Sequence, residues 1–158
     1  MKLYDLRTEY RETPIGLTDK APRFSWKMES EEKDTLQTAY EIKVTDENGN
    51  VVWNSGKKVS DQSVLIPYDG EALKDEMLYK VEVSVADNHG NVEAIEGTFE
   101  TGIFNNTEFI AKMITSDFPE EETACPVFGK TFAIDKKVKK ARLYATAHGV
   151  YEVTLNGQ

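Results

Sequence analysis

Tyr79-Lys80-Val81-Glu82-Val83-Ser84-Val85 is the stretch that decides how this chain folds. Four apolar residues alternate with three polar ones, and a period of two places the two sets on opposite faces of a β-strand. One face needs a core and the other water, which is the pattern of an antiparallel strand. The same alternation recurs upstream. Tyr40, Ile42 and Val44 are interleaved with Glu41, Lys43 and Thr45, and Phe24, Trp26 and Met28 with Ser25 and Lys27. Val51-Val52-Trp53, Val64-Leu65-Ile66 and Gly97-Thr98-Phe99-Glu100-Thr101 read as further short strands. Turn formers separate them: Asn48-Gly49-Asn50, Asn54-Ser55-Gly56, Asp69-Gly70 and His89-Gly90-Asn91. Six or seven strands in about a hundred residues predict a β-sandwich.

The subtype follows from the cysteines. Cys125 is the only one, so no disulfide can join the two sheets as in antibody domains. Trp26 lies on an early strand instead, and Tyr79 opens a late one with Leu73 six residues before it. A tyrosine at such a corner can bury its ring while its hydroxyl bonds upstream backbone. The arrangement resembles a fibronectin type III domain, within the immunoglobulin-like class.

Composition narrows the partners. The 158 residues carry 19 Lys and Arg against 28 Asp and Glu, a net charge of −9. That argues against nucleic acid or an anionic membrane, since both call for a basic face. With 39% hydrophobic and 30% charged residues the chain reads as globular, and no apolar run approaches the ~20 residues of a bilayer crossing. The first residues, Met1 to Arg7, show no signal-peptide pattern. Together with the lone cysteine, this places the expected setting in a reducing, cytoplasmic compartment.

The charge is unevenly spread. Residues 1–103 hold 21 acidic and 12 basic side chains, whereas 104–158 hold seven of each. The break coincides with a change of pattern, so a domain boundary is expected at about 102–106, dividing 1–103 from 104–158. In the second part 127–133, 138–147 and 150–155 read as three strands, the last two joined at His148-Gly149. Asn156-Gly157 then supplies a hairpin signal with no returning strand. Three strands cannot close a sandwich, so this part reads as truncated, with an uncovered face and an open edge. It is expected to pair with a second copy or to be only marginally ordered alone.

Several stretches together are similar to the N-terminal end of bacterial α-L-rhamnosidases of glycoside hydrolase family 78. They are Pro14-Ile15-Gly16-Leu17, Ala21-Pro22-Arg23-Phe24-Ser25-Trp26-Lys27, Gln37-Thr38-Ala39-Tyr40-Glu41-Ile42, Val52-Trp53-Asn54-Ser55-Gly56-Lys57 with Ser60-Asp61-Gln62-Ser63, and Phe99-Glu100-Thr101-Gly102. The last runs from Lys139 through Ala147-His148-Gly149-Val150-Tyr151 to Asn156-Gly157. The resemblance implies a fibronectin-like sandwich over 4–102, then the opening strands of a jelly-roll domain over 107–158. It also implies a parent enzyme that cleaves terminal L-rhamnose with inversion, using carboxylates on a later (α/α)₆ barrel. Nothing here resembles that barrel, so no catalytic residue, sugar ligand, metal ligand or cofactor site is carried over. The expected role is that of a non-catalytic accessory piece whose partners are the downstream domains of its own chain and, in the intact protein, a rhamnoside. The competing reading is a free-standing module that binds protein or carbohydrate through its sandwich face.

The remaining chemistry-bearing residues have simpler readings. Glu29, Glu31, Glu32 and Asp34, and also Glu120, Glu121 and Glu122, lie in polar runs that suit solvated surface. Asp46 to Asn50 and Asp87 to Asn91 share an Asp-x-x-Gly-Asn pattern, which suits tight turns and lacks the glycine position and closing glutamate of an EF-hand. His89, His148 and Cys125 show no zinc spacing. Lys136, Lys137, Lys139, Lys140 and Arg142 suit a solvated strand edge. Trp26 is expected in the core, and Trp53 in core or interface packing rather than under a sugar ring.

Overall fold

The computed structural model describes residues 1–105, 110–117, 119 and 125–158. By its internal contacts the chain falls into two units, Met1–Phe109 and Ile110–Gln158. The first holds eight strands: β1 (Lys2–Thr8), β2 (Arg23–Glu29), β3 (Gln37–Asp46), β4 (Val51–Asn54), β5 (Lys58–Val59), β6 (Ile66–Pro67), β7 (Leu78–Asp87) and β8 (Val92–Glu100). They form two antiparallel sheets, ordered β1-β2-β6 and β4-β3-β7-β8, with β5 also paired to β3. The result is an all-β, immunoglobulin-like sandwich.

The alternating stretches form the core. Tyr40, Ile42 and Val44 on β3 stand opposite Val85, Val83 and Val81 on β7, and all six face the other sheet. Cross-strand pairing of β-branched and aromatic residues on a covered face is what stabilises such a sheet. Aromatic rings bridge the sheets. Trp53 stacks near Phe24 at 6.1 Å, Phe24 meets Phe99 at 5.9 Å, and Phe99 stacks on Tyr79 at 5.2 Å. Tyr79 forms the expected corner: its ring is 1% exposed and its hydroxyl accepts the Lys74 N–H at 2.8 Å.

β1 escapes the sequence reading, and the reason is a bulge. Leu3 and Leu6 both point into the core although they are three residues apart. The register with β2 shifts between Tyr4 and Arg7, and Asp5 sits at φ 53. An extra residue in one strand breaks the period of two. The Val64-Leu65-Ile66 strand shrinks to Ile66–Pro67, because Leu65 has φ 53 and cannot continue a ladder. β8 begins earlier than expected, at Val92, where Glu93, Ala94 and Glu96 hide the alternation.

The three strands expected over 127–133, 138–147 and 150–155 are absent among the described residues. A strand exists only when a neighbour satisfies its backbone groups. Val127, Phe132, Leu143, Val150 and Leu155 are all exposed, so the apolar face of the alternation lies uncovered. The Asn156-Gly157 turn forms nonetheless. Leu155 N–H donates to the Gln158 carbonyl at 2.8 Å and Gln158 N–H donates back at 3.2 Å. The central residues have φ 53 and 82, the signs of a type I′ turn.

Candidate functional site

At the end of β8, where the chain leaves the sandwich, residues far apart in sequence are clamped together. Pro14-Ile15-Gly16-Leu17 runs beside Glu100-Thr101-Gly102. Glu100 N–H donates to the Pro14 carbonyl, Leu17 N–H to the Glu100 carbonyl, and Gly102 N–H to the Leu17 carbonyl at 2.7 Å. Two of the stretches that carry the family resemblance are therefore hydrogen-bonded to each other. From the other side, Thr101 Oγ1 donates to the Lys74 carbonyl at 2.6 Å and accepts the Met77 N–H at 2.9 Å. Asp75 Oδ1 accepts the Phe104 N–H at 2.9 Å, and Glu76 N–H donates to the Gly102 carbonyl. Phe104 packs, partly buried, against the core. The path from Thr101 to Phe104 is thus held to the sandwich by backbone, hydroxyl and carboxylate together.

The other resemblance stretches also act as latches. Trp26 is 2% exposed, and its indole N–H donates to Gln37 Oε1 at 3.0 Å. The Gln37 amide nitrogen donates in turn to the Ser60 and Gln62 carbonyls, and Trp26 N–H to the Ser63 carbonyl. Ser55 Oγ accepts the Ile42 N–H at 2.8 Å, fixing β4 to β3. An open groove of about 580 Å³ lies over this network, bordered by Tyr4, Lys27, Leu36, Asp61 and Val64. Trp26 also borders this groove, although the residue is only 2% exposed. Trp53 is half-buried between Phe24 and Tyr68, at 6.1 and 5.2 Å, so its rings pack inward. The Tyr68 phenol is pushed up to about 12, chiefly by burial, and donates to the Glu71 carbonyl at 2.6 Å.

Three groups of carboxylates stand out. Asp46 and Asp87, 7% and 4% exposed, organise twin turns. Asp46 Oδ1 accepts the N–H groups of Asn48 and Asn50, and Oδ2 the Asn50 side-chain amide. Asp87 does the same with His89 and Asn91. The Asn50 amide and backbone donors hold the Asp46 carboxyl below its usual range. At Asp87 burial pushes upward, but the Asn91 and His89 donors outweigh it and the carboxyl again lies low. These are turn-forming acids whose oxygens are occupied by backbone.

The second group is ion-paired. Glu9 accepts from the Arg23 side chain and from the Arg23 N–H at 2.8 Å, and the guanidinium lowers its carboxyl. Asp5 lies between Lys27 Nζ and Arg7 Nε, each at 2.7 Å, and both lower it, Lys27 more. The third group is exposed: Glu29, Glu31, Glu32 and Asp34, of which Glu29 pairs with Lys2 Nζ at 3.1 Å and Glu32 reaches His89 Nδ1 at 3.3 Å. Glu120, Glu121 and Glu122 lie outside the described residues. Cys125, His148 and the basic residues 136–142 are exposed. No group of three potential metal ligands is found among the described residues.

The exit clamp was beyond the sequence reading. Lys74, Asp75 and Met77 gave no signal of their own, because each acts through a partner at least 24 positions away.

Comparison with known proteins agrees with this geometry. A family model described as Rha78A-like, N-terminal immunoglobulin domain, matches residues 3–105. An α-L-rhamnosidase of Streptomyces avermitilis is 32% identical over 177 aligned positions, covering 94% of this chain and 17% of the relative. One from Formosa agariphila is 32% identical, covering 92% and 17%. The crystal structure of Streptomyces avermitilis α-L-rhamnosidase complexed with L-rhamnose superposes with TM-score 0.66 at 36% identity, over 70% of this chain and 11% of that one. Native α-L-rhamnosidase from Aspergillus terreus gives TM-score 0.67 at 25% identity, over 77% and 14%. The chain thus spans about a sixth of the length of the curated relatives it matches. All eight strands lie within or at the margin of the matched span, and the chain belongs to the family of Rha78A-like N-terminal immunoglobulin domains.

Proposed function

We propose that these 158 residues serve as a non-catalytic N-terminal part of an α-L-rhamnosidase. In this reading the parent hydrolyses terminal L-rhamnose from glycosides with inversion, using carboxylates on an (α/α)₆ barrel elsewhere in the longer protein. The observation that carries it is the coverage: the match spans 94% of this chain but only 17% of the relative. The chemistry of the sandwich points the same way. Its buried aspartates are committed to backbone, and its resemblance stretches are tied to one another by hydrogen bonds.

The work of the sandwich, in this reading, is mechanical. Thr101, Gly102 and Phe104 are tied to it, so it fixes the direction in which the chain departs. Residues 110–158 would be the start of the jelly-roll domain, their exposed apolar side chains covered by later strands of the same protein. On their own such faces favour self-association. The exposed Cys125 thiol fits a reducing, cytoplasmic setting.

The test pairs two proteins on a chromogenic α-L-rhamnoside. The 158-residue chain should release no chromophore, and the full-length protein should release it. Removing residues 1–103 from the full-length protein should lower its thermal midpoint and its yield of active enzyme. Turnover by the short chain, or an inactive full-length protein, would overturn the reading.

A further inference from the structure

The chain contains two Asn-Gly pairs, Asn48-Gly49 and Asn156-Gly157, on which the structure imposes opposite conditions. Both asparagines are exposed, and both glycines have positive φ, 86 and 82. What differs is the hold on the glycine nitrogen. Gly49 N–H donates to the Asp46 carbonyl at 2.9 Å, while the Asn48 and Asn50 N–H groups on either side donate to the Asp46 carboxylate. Gly157 occupies the second central position of a two-residue turn. The two bonds of that turn join Leu155 to Gln158 and leave the Gly157 N–H without a partner among the described residues.

We propose that Asn156 is a site of spontaneous covalent modification, deamidation through a cyclic imide, and that the Asp46 turn protects Asn48 from the same reaction. The Gly157 nitrogen loses its proton to solvent base and attacks Asn156 Cγ. A new N–Cγ bond closes the succinimide, the Cγ–Nδ2 bond breaks, and Nδ2 leaves as ammonia after taking up a proton. Water then opens the ring at either carbonyl and leaves aspartate or isoaspartate. The only co-reactant is water. The product carries one more negative charge, and the isoaspartyl form adds a methylene to a backbone whose turn needs positive φ at both central residues.

At Gly49 the same attack needs the nitrogen to leave its hydrogen bond first. One backbone bond of ordinary strength corresponds to about a tenfold slower reaction, and the flanking bonds to the buried Asp46 carboxylate add to it. This inference goes beyond the accessory role proposed above and does not depend on it.

The experiment incubates the whole chain in mildly alkaline buffer and follows deamidation at each pair by peptide mapping and mass spectrometry. A parallel sample is kept in concentrated urea. In native buffer Asn156 should convert at least about tenfold faster than Asn48, and in urea the two rates should converge. A native ratio no larger than the ratio in urea, or faster conversion at Asn48, overturns the proposal. Gly157→Ala should suppress conversion at Asn156 and leave Asn48 unchanged, since the added methyl crowds the attacking nitrogen. An unchanged rate at Asn156 in that variant would rule out the imide route.

Discussion

Gly102 and Gly16 approach so closely that a Cβ on Gly102 would lie 2.9 Å from the Gly16 carbonyl oxygen. The obstacle is backbone on a segment that is itself hydrogen-bonded to β8, so it cannot swing aside. Gly102→Ala should therefore destabilise the sandwich by about 1–3 kcal/mol, the usual range for overpacking. A urea titration followed by tryptophan fluorescence reads this directly. A midpoint equal to that of the parent chain would mean that the clamp yields more easily than its bonding suggests.

Tyr79→Phe isolates the corner. The ring would keep its stacking on Phe99, while the Lys74 N–H would lose its acceptor. The bond is part-buried, and losing one hydrogen bond of this kind costs about 0.5–1.5 kcal/mol. The expected result is a lower unfolding midpoint with an unchanged denaturant slope.

Thr101→Val is nearly isosteric and removes the hydroxyl that serves both Lys74 and Met77. A loss of about 1–3 kcal/mol is expected from the stranded carbonyl and N–H. Nuclear relaxation should also show greater motion over 102–105 than in the parent chain, with β3 and β7 unchanged. Equal motion in both proteins would show that Asp75 and Leu17 hold the exit without Thr101.

Acid should act through the twin turns. Asp46 and Asp87 have folded values below the ordinary aspartate value of 3.8, so they bind protons less readily folded than unfolded. Their stabilising contribution is full above about pH 4 and is lost as pH falls through the lowered values. Denaturant midpoints measured downward from neutral pH should drop below that point. The drop should be shallower in the doubly substituted Asp46→Asn/Asp87→Asn variant, which is expected to be less stable at neutral pH. An equally steep fall in the variant would assign the acid sensitivity to other carboxylates such as Glu9 and Asp5, which are also held low.

Hydrogen exchange should separate the two units. Amides of β3 and β7, paired along nine registered positions, should be the slowest. Those over 127–155, where no ladder forms among the described residues, should exchange at nearly unprotected rates. Slow exchange there in a dilute sample would show that partner strands are supplied from somewhere in the chain.

The alternation over Tyr79–Val85 and Tyr40–Val44 was enough to place two central strands, their inward faces and the sandwich class, because a period of two is a local property of the chain. Asp-x-x-Gly-Asn likewise announced its turns, since a carboxylate bonding amides two and four residues ahead needs nothing distant. Where the backbone departs from that period, sequence reading failed. Asp5 and Leu65 adopt positive φ, so β1 carries no period-two signature and β6 is shorter than its apolar run. The strands of 127–155 failed for the opposite reason: their pattern is regular, but a pattern supplies only one half of each ladder.

What the sequence by itself determined is the sandwich, its aromatic core and its tight turns. The exit clamp was decided by tertiary structure alone. Gly16 and Thr101 lie in stretches that carry the family resemblance, but nothing local says that they meet, and Asp75 has no signal of its own. They become a unit only when folding brings the Gly16 carbonyl against Gly102 and the Asp75 carboxylate against the Phe104 N–H, 29 residues away. A hydrogen bond depends on distance in space, and local sequence encodes that distance only within a few residues.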